Sequence, residues 1–334
     1  MLARRLTRLL IALPFGAALA APGLTPSPAA AAVAPSPTWT SSLGSGPPPG
    51  GGVSEPFSGP AVGDLRHDGQ QEIVTGSLDG NLRVFSSGGQ LLWTRQTGGA
   101  IQSSPTLADL RLDGRLEVVV TSRNGVVNVY NPNGSDYGAN WPQRATFVRP
   151  YNNTDFVPDF LASAAVGSLF GDGTQDVVAA SQDHRLYAWD ANGNMLAGFP
   201  INLWDTIFDT PVLVDLEGRG QRDIVIGSDS NGGVEPNPKG GVWWAFRPDG
   251  SLIWKRLQDE VPWSSAAAAI LNPGDPQPSI VGATGHYFAQ TGNPGAGKYV
   301  NVYSANGNDR FGHPLATASQ NFSSPALGDL LGDG

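Results

Sequence analysis

Cysteine is missing from this chain of 334 residues. The protein therefore has no disulfide, no thiol nucleophile and no cysteine that could carry a lipid, so packing must stabilise it. Histidine is scarce as well, and its four residues show no spacing typical of a catalytic pair: His67, His184, His286 and His313. The sequence also lacks a G-x-S-x-G elbow and a glycine-rich phosphate loop. These absences argue against an enzyme, and His67 and His184 are predicted to lie in solvated turns.

Basic side chains are in the minority, with 20 Lys and Arg against 29 Asp and Glu and a net charge of −9. Residues 1–20 contain Arg4, Arg5 and Arg8 but no acid, so their removal takes the net charge to −12. Nucleic-acid-binding proteins carry a basic surface. Nucleic acid is therefore not expected as a partner.

The N-terminus, MLARRLTRLLIALPFGAALA, has the charged, apolar and small-residue regions of an export signal. Its apolar run is interrupted by Pro14 and Gly16 and is shorter than the roughly twenty residues that span a bilayer. We therefore predict that residues 1–20 are a signal peptide, that the protein is secreted and that no segment spans a membrane. A structureless alanine-rich tail is the alternative.

Residues 21–57 are almost entirely Ala, Pro, Ser and Gly, a composition that predicts a linker. The segment PTWTSSL at 37–43 interrupts it and resembles LLWTRQ at 91–96. It is therefore a candidate closing strand that would complete the last unit of a ring, in which case the chain is a fragment of a longer protein. The alternative is that Trp39 simply lies in the linker.

A repeat fills the remainder, residues 58–334, with copies that start near 58, 103, 162, 209, 263 and 323. The first copy contains four short segments of strand-forming residues, PAVGDL, EIVTGS, NLRVFS and QLLWTRQT, separated by Gly, Asn or Asp. A single four-stranded unit cannot bury both of its faces, and radial repetition solves this problem. The sequence predicts an all-β protein, a β-propeller with five complete blades and the start of a sixth, from a ring of six or seven.

The pattern SSP-x-x-GDL-x-x-DG-x-x-E, followed by a strand ending in GS, resembles the FG-GAP and VCBS repeats of integrin α-subunits and secreted bacterial proteins. The segments GQLLWTRQTG and GSLIWKRLQD are similar to outer strands of quinoprotein repeats. Trp93 and Trp254 recur at the same position of these segments and are predicted to pack between blades. One of Trp243 and Trp244 should point out of its blade.

The FG-GAP resemblance implies calcium loops with oxygen ligands at positions one, three, five and nine. The first two copies each keep three carboxylates but place Arg66 or Arg111 at position three, where a cation would be repelled. The same Asp and Gly residues are explained by a turn without metal. No cofactor is therefore required, and the candidate Ca²⁺ ligands are Asp64, Asp68 and Glu72 in the first loop and Asp109, Asp113 and Glu117 in the second.

Three insertions depart from the repeat: TFVRPYNNTDFVPDF, DSNGGVEPNPKGG and GHYFAQTGNPGAGK. In a four-stranded blade, the turns between the second and third strands and the links between blades share one face, and all three insertions are predicted to lie there. Aromatic anchors on such loops commonly dominate binding. The predicted partner-binding residues are Tyr151, Asn153, Phe156, Trp244, His286 and Tyr287.

Two functions remain open from the sequence. The first is a secreted, non-catalytic propeller that binds or adheres to an extracellular protein or a glycan through the inserted-loop face. The second is a propeller enzyme with a central pocket, either a quinoprotein-like dehydrogenase or a polysaccharide lyase. The fold alone does not separate them, because propellers host both.

Overall fold

The computed structural model describes Thr40 and residues 59–145, 149–151, 154–156, 158–231, 239–321 and 323–329. The predicted signal peptide, the closing strand at 37–43 and the linker at 21–57 lie outside the described residues, apart from Thr40. The chain divides into two units, Met1–Thr40 and Ser41–Gly334. The repeats lie in the second unit. In the described part of the chain, no helix has the length and apolarity needed to cross a membrane.

Five four-stranded antiparallel sheets, here called blades I to V, make up the second unit. Strands that follow one another in the sequence are neighbours in each sheet. Their bounds are Ala61–Gly63, Glu72–Gly76, Asn81–Ser86 and Leu91–Gln96 for β1–β4; Thr106–Ala108, Glu117–Ser122, Val126–Tyr130 and Gln143–Arg144 for β5–β8; Ala165–Gly167, Asp176–Ser181, Arg185–Asp190 and Ile201–Asn202 for β11–β14; Val212–Val214, Asp223–Asn231, Lys239–Phe246 and Leu252–Gln258 for β15–β18; and Ala267–Ala269, Ser279–Gly282, Tyr299–Tyr303 and Leu315–Ala316 for β19–β22.

Three further elements lie in the insertions. Strands β9 (Arg149–Tyr151) and β10 (Thr154–Phe156) form a hairpin between blades II and III, and α1 (Tyr287–Thr291) lies between β20 and β21. The prediction of an all-β fold with four strands per copy is confirmed. The described residues of the sixth copy, 323–329, contain no strand.

The apolar core lies between successive blades, because each sheet buries its side chains against the next one. Val74 and Leu82 of blade I, for example, pack with Val118 and Tyr130 of blade II, and similar clusters join blades II to III, III to IV and IV to V. β6 belongs to blade II, which blades I and III flank, and it is buried throughout. β2 of blade I alternates between buried and half-buried residues. Strands covered on both faces can be apolar without interruption.

The first strand of every blade is innermost, and β1, β5, β11, β15 and β19 contact one another in that order. A chain of hydrogen bonds runs along this inner edge, in which the residue two positions before each first strand donates its N–H to the hydroxyl at the same position of the next blade. The donor–acceptor pairs are Gly59 to Ser104, Ser104 to Ser163, Ser163 to Thr210 and Thr210 to Ser265, at 2.8–3.2 Å. Serine or threonine therefore recurs at this position in blades II to V for a structural reason, whereas blade I has Gly59 there.

The outer strands are joined by a tryptophan contact. The Nε1–H of Trp93 in blade I donates to the Pro132 carbonyl of blade II at 3.0 Å, and Arg95 donates to the Gly134 carbonyl in the same turn. Gly134 has φ +81°, and a Cβ there would lie 2.7 Å from the Trp93 ring. The same contacts join blades IV and V, through Trp254, Arg256, Ala305 and Gly307. The prediction that these two tryptophans pack between blades is thus confirmed.

Candidate functional site

The first candidate calcium loop is closed by its own backbone. Asp64 accepts the N–H groups of Asp68 and Gly69 at 3.0 and 2.7 Å. Burial acts in the opposite direction, but these two donors hold the pKa of Asp64 below its usual value. His67 and Gly69 adopt positive φ angles of 57° and 84°, which produce the sharp bend. The carboxylate at position one therefore serves as the acceptor of an Asx-type turn.

The carboxylate at position nine is a second internal acceptor. Glu72, 1% exposed, accepts the Leu65 N–H at 2.9 Å with one oxygen and Arg66 at 2.7 Å with the other. The acid at the start of the second strand accepts the N–H of the leucine at position two in every copy that keeps the loop. The three further pairs are Glu117 with Leu110, Asp176 with Leu169 and Asp223 with Leu216.

The candidate calcium ligands of both loops already have partners within the protein. In the second loop Asp109 accepts the Asp113 and Gly114 amides, Asp113 pairs with Arg115 at 2.6 Å, and Glu117 lies 3.6 Å from Arg111. The oxygens that would ligate a cation are thus committed to N–H donors, and a guanidinium lies within ion-pair distance of the position-nine carboxylate. Among the described residues, no group of three or more His, Asp or Glu side chains is arranged to hold a metal ion.

Next to these loops, the turns of blades I and II border a cleft of about 560 Å³ whose lining includes Arg66, Arg111 and Arg115. The three guanidinium groups are already engaged, with Glu72, with the Tyr137 carbonyl and with Asp113. The three arginines that border this cleft therefore have partners within blades I and II.

The opposite side carries the turns between second and third strands and the links between blades, and it is here called the insertion face. Backbone hydrogen bonds hold each link against the end of a second strand: Ile101 donates to Ser77, Phe160 to Ser122, Asp229 to Thr206 and Gly285 to Val261. The β9–β10 hairpin and α1 lie in segments that leave from these ends. The described parts of the insertions thus fall where the sequence analysis places them.

The predicted partner-binding residues differ in their surroundings. Tyr151 and Phe156 lie on β9 and β10, but their side chains and all of Asn153 are outside the described residues. Trp244 is 5% exposed, stacks with Phe246 and donates its Nε1–H to Ser228 at 2.9 Å. A partner would therefore meet little of its ring.

His286 and Tyr287 stand at the start of α1, against Trp263. The ring centroids lie 5.7 and 6.1 Å from that of Trp263, and Tyr287 is 43% exposed. The ring of Phe208, from the link between blades III and IV, lies 5.3 Å from that of Trp263. An aromatic cluster that includes a well-exposed tyrosine therefore lies on the insertion face.

A buried glutamate fixes the third insertion next to this cluster. Glu260, 0% exposed, accepts the N–H groups of Phe288 and Ala289 at 2.9 and 2.8 Å, and also that of Val261. A carboxylate removed from water is stabilised by such donors. Glu260 thus holds α1 in place and makes the inserted loop part of the rigid scaffold.

Two further carboxylates, Asp209 and Asp229, lie behind the aromatic cluster without comparable compensation. Asp209 is 1% exposed, and neither of its oxygens has a hydrogen-bond partner of good geometry in the part of the chain the structure describes. Burial raises its pKa well above the usual value, Asp229 raises it further, and the Gly227 N–H offsets only part of the effect. Asp209 lies where a side chain at Gly227 would be, since a Cβ there would fall 2.1 Å from its Oδ2.

Asp229, at the end of β16, uses only one of its oxygens. Its Oδ2 accepts the Thr206 hydroxyl at 3.0 Å and a long contact of 3.5 Å from Trp263 Nε1, whereas Oδ1 is buried without a hydrogen bond. Burial raises the pKa of Asp229 well above its usual value, and Asp205 raises it further. We call Asp209 and Asp229 the acidic pair.

His184 also lies on this face, and the prediction that it is solvated is wrong. It is 1% exposed in the turn between β12 and β13, and its Nε2 lies 3.4 Å from Asp205 Oδ1. The link between blades III and IV covers this turn, with the Leu203 N–H donating to the His184 carbonyl at 2.8 Å. Burial by a neighbouring blade is not visible in the local sequence of a turn.

The acidic pair and the rings of Phe208 and Trp263 were missed by the sequence analysis, which named His286 and Tyr287 of the aromatic cluster, although the repeat contained a signal. Asp209 stands where other copies have Ser103, Ala162 or Ser264. Asp229 likewise replaces a residue that differs in each copy, either Arg123, Gln182 or Gly285. A charged residue at a position where the other copies keep a small one indicates a role outside the shared scaffold.

No family model matches the sequence, and no curated protein matches it either. Among solved structures, the chain is similar to the Vibrio cholerae biofilm matrix protein Bap1, with a TM-score of 0.50 and 20% identity over 78% of this chain and 40% of that one. It is also similar to the C-terminal domain of Pseudomonas aeruginosa PilY1, with a TM-score of 0.50 and 13% identity over 75% of this chain and 70% of that one. A third similar structure is Saccharomyces cerevisiae Sqt1, with a TM-score of 0.50 and 16% identity over 67% of this chain and 55% of that one.

The chain thus spans less than two thirds of Bap1 and of Sqt1. At these identities the likeness concerns the fold alone. Bap1 and PilY1 are β-propellers, and the repeated four-stranded sheets agree with them. The predicted architecture is confirmed: the chain is a β-propeller built of four-stranded blades.

Proposed function

We propose that the protein is a secreted, non-catalytic β-propeller of the FG-GAP and VCBS type that binds an extracellular protein or glycan through its insertion face. The observation that carries the proposal is the contrast between the two sides of the blades. Charged groups at the loops of blades I and II are paired within the protein, whereas the insertion face combines an uncompensated acidic pair with partly exposed aromatic rings. Buried polar groups without partners are costly and point to function.

The rigidity of the third insertion supports a binding role. A loop that is already ordered loses less conformational entropy when a partner docks, so more of the contact energy appears as affinity. Glu260 provides this order by holding the first turn of α1. Export is supported by the composition of residues 1–20, and the absence of cysteine is compatible with an extracellular site.

Calcium is not required for the proposed activity. The carboxylates of the first two loops already have N–H and guanidinium partners, which leave them little to gain from an ion. The side chains of those loops are therefore proposed to shape turns.

Replacing the three insertions tests the proposal. A variant in which residues 146–157, 232–238 and 285–298 are exchanged for the short turn of blade I, residues 78–80, is compared with the unaltered protein on arrays of glycans and extracellular protein fragments. We expect the array signals to disappear while the melting temperature stays close to that of the unaltered protein. The control exchanges residues 170–174 on the other side for residues 111–115 and should keep all signals. Signals that survive the insertion exchange but are lost in the control would overturn the proposal.

A further inference from the structure

In the part of the chain that the structure describes, no Lys or Arg is paired with Asp209 or Asp229, and the nearby histidines contact Asp205 and Trp263 instead. For Asp209 the single charged group that acts on its pKa is Asp229, which is also an acid. Asp229 in turn is influenced by Asp205 and Glu260, which are acidic as well. Several carboxylates of one sign in a poorly solvated place repel one another, and this arrangement is relieved by a positive charge.

Blade II provides an internal comparison at the equivalent positions. There the residue matching Asp209 is Ser103, whose hydroxyl donates to the Thr121 carbonyl at 2.9 Å. The residue matching Asp229 is Arg123, which is paired with Asp159 at 2.8–2.9 Å. The scaffold thus accepts neutral or internally paired side chains at both positions, and folding alone does not require the acidic pair.

The surroundings of the pair suit a flat cation. Phe208 and Trp263 occupy the same repeat position in successive blades, their rings lie 5.3 Å apart, and both are partly exposed. Phe208 precedes Asp209 in the sequence, and Trp263 Nε1 lies 3.5 Å from Asp229. A guanidinium group stacks on aromatic faces and forms paired hydrogen bonds with carboxylates. An ammonium ion stacks on aromatic faces less well. A negative net charge also favours a basic partner.

We propose that Asp209 and Asp229 receive the guanidinium of an arginine side chain from a protein partner, with Phe208 and Trp263 stacking on it. This inference rests on the proposed binding role of the insertion face. Asp209 is 1% exposed, so binding requires a local rearrangement around the acidic pair, which Trp263 contacts through Asp229. The indole of Trp263 therefore reports the event directly.

The primary test follows the Trp263 Nε1–H signal by NMR, assigned with W263F, during titration of the full chain with acetyl-Gly-Arg-Gly-amide. The matched probe is the same peptide with citrulline, which keeps the shape of arginine and removes its charge. We expect a saturable shift with arginine, a weaker one with lysine and none with citrulline. Equal responses to arginine and citrulline would overturn the inference. A larger response to glucosamine than to the arginine peptide would also overturn it, because the occupant would then be a glycan amine.

Two substitutions separate the pair from the fold. D209N should weaken arginine-peptide binding about tenfold or more, as expected for the loss of one charged partner. D209S places the residue of blades II and V at this position, so it keeps the scaffold intact and should show the same loss. The control D159N removes an acid of the same face that already pairs with Arg123, and it should leave peptide binding unchanged. Full binding by folded D209S would contradict the inference.

A pH series provides a readout that a purely structural role would not move. Arginine favours the ionised carboxylates, so affinity should rise with pH as the pair loses its protons, and the rise should be smaller in D209N. The other titratable groups facing the pair are Asp205, Glu260, His184 and His286, and the comparison with D209N subtracts their contribution. An identical pH profile in the two proteins would contradict the inference.

The fate of the array signals distinguishes the two proposals. If D209S keeps the signals that the insertion exchange abolishes, the binding face stands and the arginine site is wrong. If neither change affects them, the binding face itself is wrong.

Discussion

Asp176 is the position-nine carboxylate that lacks an arginine, and its replacement by asparagine should change how stability depends on pH. It is 2% exposed and accepts the Leu169 N–H at 3.0 Å, but position three of its loop is Phe170. Burial raises the pKa of Asp176 to about 6, the Leu169 N–H offsets part of this, and Asp172 and Asp190 add to it. A rise from 3.8 to about 6 corresponds to about 3 kcal/mol of free energy.

The direction follows from proton binding. The folded protein holds the Asp176 proton more tightly than the unfolded chain, so protonation stabilises the fold. That contribution is fully present below about pH 4, is lost as the pH rises through about 6 and is absent at pH 8. D176N keeps an oxygen for the Leu169 N–H and carries no charge at any pH. The free energy of unfolding of the unaltered protein should therefore fall relative to that of D176N by about 3 kcal/mol between pH 4 and pH 8.

Urea unfolding followed by tryptophan fluorescence measures this difference at each pH. Comparing the two proteins cancels the other titrating groups and any fixed cost of the new amide. The control is E72Q, at the same position of blade I, where the acid is paired with Arg66 at 2.7 Å and its loss should destabilise the protein at pH 7. Parallel stability curves for D176N and the unaltered protein would refute the reasoning that burial, uncompensated by a cation, controls this site.

Three further predictions follow from the described contacts. Adding millimolar Ca²⁺ after EDTA should leave the melting temperature unchanged, because Asp64 already accepts two N–H groups, and a rise of many degrees would show that the first loops bind the ion. G134A should lower the free energy of unfolding by about 2–4 kcal/mol, because it combines a positive φ with a clash against Trp93. G138A also has a positive φ but has open space around it, so it should lower the free energy of unfolding by about 1 kcal/mol. Equal losses in chemical denaturation would contradict the role of Gly134 in the contact between blades I and II. E260Q should accelerate hydrogen exchange of the first α1 amides, and unchanged exchange would mean that Glu260 does not hold the helix.

Most of the fold could be predicted from sequence because each copy repeats local rules. Segments such as EIVTGS alternate side chains toward a neighbouring blade, and the Gly at position six supplies the positive φ that ends each first turn, as at Gly69 and Gly114. Repetition multiplies a weak local signal. The recurrence of Trp93 and Trp254 at one position of the repeat likewise indicates contacts between blades.

The fifth copy shows where this reasoning ends. Its loop, LNPGDPQPS, has lost the repeat pattern, yet it occupies the same place between β19 and β20. Asp275 accepts the Asn272 N–H at 2.8 Å, and Arg310, from beyond β21, reaches Asp275 at 2.7 Å and Ser279 at 2.8 Å. A long-range guanidinium thus replaces the local acid of the other loops. A partner 35 residues away is not readable from the loop itself.

The candidate site was hidden for the same physical reason, because its chemistry arises where different blades meet. Asp209 belongs to a link, Asp229 to a strand end and Trp263 to the following link, and only radial packing brings them together. The repeat nevertheless separates structure from function. Positions that most copies share, such as the hydroxyl two residues before the first strand in blades II to V, are explained by hydrogen bonds between blades. A charged residue where other copies keep a small one, as at Asp209, has no scaffold role to explain it, and this makes it the most informative place to look for a ligand.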